Sequence, residues 1–354
     1  MLDIFLDLHA NGRTKEPETI TVICVTYGAY RTAILKGFHA IYLYDIVDFD
    51  DNDYHAIKYI QSYGYCILEN ADSISYSLVK ELHEAMNPNT FFYVFYDSFI
   101  PRRYMPAADV IHLYGDTYEV PNITSDKNQM SVSLRHLLNG LRQKNNTIDS
   151  CLKKFSSTVN SEVITKFDLA TYLDLSRPII TPHCTIIGDL NWKIRRYLGL
   201  INQQDQFLPN TNEWMVLERG GECVEMESGK SHILPVGYRF QVISSTTTGN
   251  GVYNLTFDYE LPDGSKVRCI TYASKRYIEY MAYGTSDEEH IPFSYCINFG
   301  YVIPHFYSVN SEYSEAIVLF DGQLESNKND FYTCLLGIKN DARIYYNMTS
   351  RIEI

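Results

Sequence analysis

An α/β unit followed by a β-rich unit is the fold class this sequence predicts. The first part is expected to hold a mostly parallel open sheet with helices on both faces. The second is expected to be a mainly antiparallel β-sandwich or jelly-roll-like domain. Three observations carry this reading. Apolar runs alternate with amphipathic helical stretches before about residue 175. After it, short period-2 segments are punctuated by Gly, Asn, Asp and Pro. Two hairpin signals, Asn250-Gly251 and Asp263-Gly264, fall in the second part, where both residue types tolerate positive φ. The expected domains are therefore residues 1–175 and 176–354, with Ser176-Arg177-Pro178 as the boundary.

Ile20 to Thr26 is almost continuously apolar, as a strand covered on both faces should be. Tyr27-Gly28-Ala29 turns the chain, and Tyr30 to Phe38 suits a helix. Ala40 to Val47 reads as a second strand ending in acids. Tyr54 to Tyr63 reads as a helix closed by Gly64. Tyr65 to Leu68 is a third strand. Ser75 to Met86 places Leu78, Val79, Leu82 and Met86 on one helical face and stops before Pro88. Thr90 to Phe95 is a fourth strand and Asp109 to Leu113 a fifth. Alternating strands and helices imply right-handed crossovers and parallel pairing. Ser131 to Leu173 looks helical, with Leu134, Leu137, Leu138 and Leu141 on one face. Beyond the boundary come a short helix over Leu190–Leu200 and β segments at Trp214–Leu217, Arg239–Ser244, Val252–Tyr259, Val267–Tyr272, Ser294–Phe299, Ala316–Phe320 and Phe331–Ile338.

Composition narrows the function classes. A hydrophobic content of 45% with 21% charged residues excludes wholesale disorder. The formal charge of −13 repels phosphate backbones, so general nucleic-acid binding is expected to be absent. The 30 tyrosines against 2 tryptophans suit either β positions or a large protein–protein interface. Eight scattered cysteines, with no C-x-x-C and no basic, apolar leader at Met1–Asp7, predict free thiols in a cytoplasmic setting. No apolar run is long enough to span a bilayer.

Chemistry-bearing constellations are sparse. Asp45, Asp48, Asp50, Asp51 and Asp53 crowd the end of the second strand. There they could hold a cation or a ribose, or simply cap the helix expected at Tyr54. Gly28 stands alone where a dinucleotide turn wants three glycines. His83, His183 and His305 have no partners at metal-site spacing, and no sequence pattern marks a catalytic residue.

Thr21 to Tyr27, the acid-ended second strand, Glu69-Asn70-Ala71 and Val94-Phe95-Tyr96-Asp97-Ser98-Phe99 together resemble the nucleotide-binding half of GT-A glycosyltransferases over residues 19–101. The resemblance implies a base pocket at Thr26 and Tyr27, nucleoside contacts from Asp48 or Asp50, and a metal ligand at Asp97. Phe99 stands where that family's second metal aspartate belongs. Two functions are therefore expected. The first is a non-catalytic structural or assembly protein acting through contacts with protein subunits, without cofactor, with a viral or phage particle as a candidate setting. The alternative is a nucleotide-sugar glycosyltransferase using Mn²⁺ or Mg²⁺.

Overall fold

The computed structural model describes residues 20–25, 29–30, 33–34, 37–43, 47–49, 54–56, 65–69, 71, 76–95, 130–218, 221–234, 237–261, 264–283, 295–309, 313–321 and 328–354. The chain forms two compact units, Met1–Gln129 and Met130–Ile354. The expected boundary at 175/176 marks a change of composition rather than of domain. Residues 130–175 belong to the same compact unit as the rest of the C-terminal part.

In the first unit the described strands are β1 (Ile20–Cys24), β2 (His39–Tyr42), β3 (Val47–Phe49), β4 (Tyr54–Ala56), β5 (Tyr65–Glu69) and β6 (Phe91–Val94), with helix α1 at Tyr76–Glu84. Four of them form one parallel sheet in the order β2-β1-β5-β6. Every residue of β1 is buried, as a central strand between two covered faces requires. Ile20, Val22, Cys24, Ala33, Phe38 and Ile67 make a core cluster. Leu78, Val79 and Leu82 are buried along α1. The helix expected over Tyr54–Tyr63 begins instead as a strand. Tyr54–Ala56 pairs antiparallel with Val47–Phe49, placing Asp48 opposite His55. Val, Phe and Tyr flanking an Asp-rich stretch make a hairpin as readily as a strand and a capped helix. The fifth strand expected at Asp109–Leu113 lies outside the described residues.

The second unit opens with α2 (Val132–Arg142) and α3 (Ile148–Lys154). Ser131 caps α2 by accepting from the Leu134 amide at 3.4 Å. Thr147 and Ser150 form a reciprocal capping box on α3. Then come β7 (Asn160–Val163), α4 (Leu169–Tyr172), β8 (Ile179–Thr181) and α5 (Cys184–Tyr197). A β module comes next: β9 (Trp214–Leu217), β10 (Gly221–Glu225), β11 (Ser231–Leu234), β12 (Arg239–Gln241), β13 (Ser244–Thr247), β14 (Val252–Glu260), β15 (Lys266–Ser274), helix α6 (Lys275–Tyr283) and β16 (Ile297–Phe299). The chain ends with β17 (Val302–Pro304), α7 (His305–Val309), β18 (Tyr313–Asp321), α8 (Lys328–Leu336) and β19 (Ile338–Asn347).

These strands make two architectures. The module holds the expected antiparallel sheets, β11-β10-β15-β14-β13 and β12-β9-β16. The β14–β15 hairpin runs in unbroken register from Val252↔Ser274 to Glu260↔Lys266, with Gly264 at φ +87° near its turn. Burial alternates along β14, and Phe257 meets Phe240 of the smaller sheet at 4.2 Å between centroids. Surrounding the module in sequence is a second parallel sheet, in the order β17-β8-β18-β19-β7. The second unit is thus not a pure β-sandwich. It is an α/β domain with an antiparallel module inserted between α5 and β17.

Many of the described tyrosines go inward. Tyr253, Tyr259, Tyr277, Tyr301, Tyr307, Tyr313 and Tyr332 are all buried. Several give their phenols a partner: Tyr253 donates to Asp205 at 2.9 Å, and Tyr307 donates to the Glu218 carbonyl at 2.8 Å. Seven cysteines are buried as thiols among the described residues.

Helices α5 and α6 touch through Gly188. A Cβ at that position would lie 2.0 Å from the Met281 carbonyl oxygen, which is backbone and cannot rotate away. Gly188→Ala is expected to lower stability by about 1–3 kcal/mol through overpacking. Urea unfolding checks it, and an unchanged midpoint would refute the close approach.

Candidate functional site

Ligands of open parallel sheets sit beyond the carboxyl ends of the strands. In the second unit that edge gathers polar side chains from four connections. Strand β8 ends in Thr181 and passes through Pro182 to His183, the N-cap of α5. Strand β17 ends in Pro304 and passes directly to His305 at the start of α7. Strand β18 ends in Asp321, and α8 then contributes Asp330. Strand β19 ends in Asn347.

His183 is buried, and its Nε2 accepts a hydrogen bond from the Asp321 amide at 2.9 Å. An imidazole nitrogen that accepts is unprotonated, so His183 is neutral with its proton on Nδ1. Burial lowers its pKa below the ordinary histidine value, against the opposing pull of the nearby Asp321 carboxylate. Asp321 Oδ2 in turn accepts from the Ile352 amide at 3.0 Å, which ties the chain after β19 to the end of β18. Asn347 closes the last connection, its Oδ1 accepting from the Thr349 and Ser350 amides at 2.9 Å each.

His305 behaves differently. Its Nε2 lies 3.6 Å from Asp330 Oδ1, at ion-pair rather than hydrogen-bond distance. Its Nδ1 is buried without a hydrogen-bond partner among the described residues. Asp330 sits in the first turn of α8, where the helix dipole favours a carboxylate. His183 caps α5 without a side-chain hydrogen bond to the helix. The edge therefore presents one neutral histidine held in a fixed tautomer, one histidine with unused capacity, and helix amino termini that favour anions. No group of three or more His, Cys, Asp or Glu among the described residues is arranged to hold a metal.

The residues expected to carry function belong to the first unit. Thr26, Tyr27, Asp50 and Asp97 lie outside the described residues. Asp48 is placed only as a backbone position in β3. The residues at the second sheet's carboxyl edge carry no sequence signal because Thr181, His183, His305 and Asp321 are far apart in the chain. They converge only when β17, β8 and β18 become neighbours.

No family model matches the chain, and no curated protein matches it. Among solved structures, Pif1 helicase from Bacteroides in complex with ADP-AlF3 and ssDNA is similar with a TM-score of 0.48 and 11% identity. That match covers 97% of this chain and 85% of that one. Pif1 helicase from Candida albicans is similar with a TM-score of 0.44 and 11% identity, covering 82% of this chain and 74% of that one. Bacteroides Pif1 bound to ssDNA gives 0.44 and 10%, covering 97% and 91%.

Several expectations are corrected here. These neighbours are helicases, not glycosyltransferases or particle components. The GT-A resemblance of residues 19–101 is therefore withdrawn, together with the nucleotide-sugar and Mn²⁺ or Mg²⁺ roles it implied for Thr26, Tyr27, Asp48, Asp50 and Asp97. Short motifs on a parallel sheet do not distinguish one α/β family from another. The assembly reading goes too, with its virus or phage setting, its protein-subunit partners, and its lack of catalysis and cofactor. The Bacteroides neighbour carries ADP-AlF3 and ssDNA. The expectation against nucleic acid is likewise dropped: net charge is a sum over the whole surface, whereas a strand meets one patch of it. No helix among the described residues is long and apolar enough to cross a membrane.

The neutral His183 generates a pH prediction. Its folded pKa lies below its unfolded value of about 6.5. As pH falls through about 6.5 the unfolded chain takes up a proton that the folded chain refuses, so stability is full above that value and declines below it. Urea midpoints measured from pH 7.5 to 5 should fall, and His183→Gln should flatten the fall. Parallel profiles for the two proteins would refute the assignment.

Proposed function

We propose that this chain is a nucleic-acid-handling protein of helicase type, and that the carboxyl edge of its second parallel sheet is the phosphate-facing site. The observation that carries the reading is the second parallel sheet itself. One parallel sheet with a separate β-sandwich offers a single ligand edge. Two parallel sheets, one in each unit, offer two. An edge at which imidazoles and helix amino termini converge suits phosphate groups, which nucleotides and nucleic-acid strands share. His305, with its unused Nδ1, is the side chain we assign to ligand contact, and Asp330 positions it.

ADP with aluminium fluoride and single-stranded DNA, the ligands named for the Bacteroides protein, are suitable probes. Thermal unfolding of the full chain should shift upward with ADP, with ATP or with an oligonucleotide. Excess ligand at about 100 Kd contributes about 2.7 kcal/mol, enough to read easily. His305→Ala should reduce the shift while leaving the unliganded melting temperature nearly intact. No shift with any of these ligands, together with no ATP hydrolysis in the presence of single-stranded DNA, would overturn the proposal.

A further inference from the structure

The smaller antiparallel sheet of the module carries a cation that lacks a counter-charge among the described residues. Arg239 of β12 stands opposite Val216 of β9, and Trp214 lies two residues along β9, so Arg239 and Trp214 share one face of the sheet. Phe240 turns to the other face, where it meets Phe257. The guanidinium carbon lies 3.8 Å from the centre of the Trp214 ring. Arg239 Nε donates to the Gly300 carbonyl at 2.7 Å. That carbonyl is fixed in place. The Gly300 amide donates to the Trp214 carbonyl at 2.8 Å, and a Cβ on Gly300 would lie 2.8 Å from the Met215 carbonyl carbon. The guanidinium is thus laid on an indole and tethered through one of its three nitrogens.

The rest of the fork is unused. Nη2 is buried and has no hydrogen-bond partner among the described residues. Tyr301 and Tyr313 face the charge, but their hydroxyls donate elsewhere, to Glu213 at 3.4 Å and to the Gly237 carbonyl at 3.1 Å. Burial holds the Tyr301 phenol protonated, so it supplies no negative charge. Arg195 and Arg177 make the contrast. The first is paired with Glu213, the second with Asp174, Glu315 and Asp341. Burial lowers the Arg239 pKa to about 9, which still leaves it charged at neutral pH. A desolvated cation without an anion is costly, and an arriving anion relieves that cost. Arg239 as a whole is only half-buried, so the fork is within reach of a solute. Two parallel N–H donors of a guanidinium match two oxygens of a phosphate or a carboxylate.

We infer that Arg239, laid on Trp214 and tethered to Gly300, is a binding site for an oxyanion, a phosphate or a carboxylate group held by the two Nη nitrogens. Tyr313 beside it begins β18, whereas Asp321 ends that strand, so the site is separate from the carboxyl edge. It does not rest on the function proposed above.

The test uses the full chain. Its two tryptophans are Trp192 and Trp214, so Trp192→Phe leaves the ring under the guanidinium as the sole indole reporter. Emission of that chain should change saturably with sodium phosphate and stay flat with sodium chloride at equal ionic strength. Sodium acetate separates the two sources: a response to phosphate alone assigns phosphate groups, and a response to acetate assigns carboxylates as well. Arg239→Gln should abolish the response. Arg239→Lys keeps the charge but not the fork and should weaken binding roughly tenfold, the loss of one charged hydrogen bond. His305→Ala should leave the response intact, because phosphate held at the carboxyl edge does not touch Trp214. The melting-temperature gap between wild type and Arg239→Gln should widen when phosphate replaces chloride. A merely structural arginine would give the same gap in both salts, and that result would overturn the site. So would phosphate and acetate both acting as chloride does on Trp214 emission. Glu312, next to Tyr313 in sequence, lies outside the described residues. If Glu312→Gln shifts Trp214 emission before any anion is added, that carboxylate is the counter-ion and the site falls. Should Arg239→Gln not fold, the titration of the Trp192→Phe chain and the Arg239→Lys variant decide.

Discussion

The buried ion pair between Arg195 and Glu213 is the constraint on which the second unit depends. Both side chains are wholly inaccessible. Arg195 donates through Nε to Glu213 Oε1 at 2.7 Å and through Nη2 to Oε2 at 3.1 Å, a two-pronged geometry. Its remaining donors reach the carbonyls of Gln206 at 2.6 Å, Leu208 at 3.2 Å and Leu200 at 3.3 Å. The guanidinium also lies 3.9 Å from the centre of the Phe299 ring. One side chain on α5 thus gathers the connection after the helix, the residue just before β9, and the end of β16. That is where the antiparallel module leaves the parallel sheet and where it returns. A buried pair of this kind adds little net stability compared with an apolar replacement, because desolvating both charges offsets their attraction. Its value is in specifying geometry: the 198–213 segment must fold so that all of these donors are satisfied. Glu213 also accepts from the Asn210 amide at 2.6 Å, which tightens the same turn.

Much of the first unit is legible in the sequence, and the reason is its repetition. Strands β1, β5 and β6 are apolar runs, and α1 has a clean helical stripe. Each signal is local. The second unit hides its parallel sheet because it is built from signals that are not. Strand β8 is three residues between Pro178 and Pro182, a stretch that reads as a linker. Strand β17 is three residues ending in Pro304. Neither is long enough to show a period. The segment Phe331–Leu335 reads as a strand and is the middle of α8. All five residues are buried. A helix covered on every side has no polar face to reveal its 3.6 period, so it cannot be told from a buried strand by pattern. Strand β19 starts almost at once after α8, and its signal merges with that of the buried helix.

The candidate site is less legible than the fold for a related reason. Carboxylates close together in sequence, as at Asp45–Asp53, draw attention because their proximity is guaranteed. Histidines at 183 and 305 and aspartates at 321 and 330 are brought together by strand order alone, and strand order is the property a single sequence reveals least. The tyrosines mislead in the opposite sense. Their number suggests an interface, yet many of them are core residues whose phenols find partners.

The two edges of the second parallel sheet do different work. At the amino edge, Arg177 stands before β8 and meets Glu315 at 2.6 Å, Asp341 at 3.0 Å and Asp174 at 3.2 Å. Glu315 and Asp341 are direct partners in the β18–β19 register. Like charges opposite one another across parallel strands would repel, and the guanidinium between them turns that repulsion into a clamp. Arg343 approaches Asp174 at 3.5 Å from the same side. At the carboxyl edge side chains bind backbone amides instead: His183 Nε2 accepts from the Asp321 amide at 2.9 Å, Asp321 accepts from the Ile352 amide at 3.0 Å, and Asn347 accepts from the Thr349 and Ser350 amides at 2.9 Å each. The edge where strands begin is thus joined by ion pairs, and the edge where they end by side-chain bonds to backbone amides.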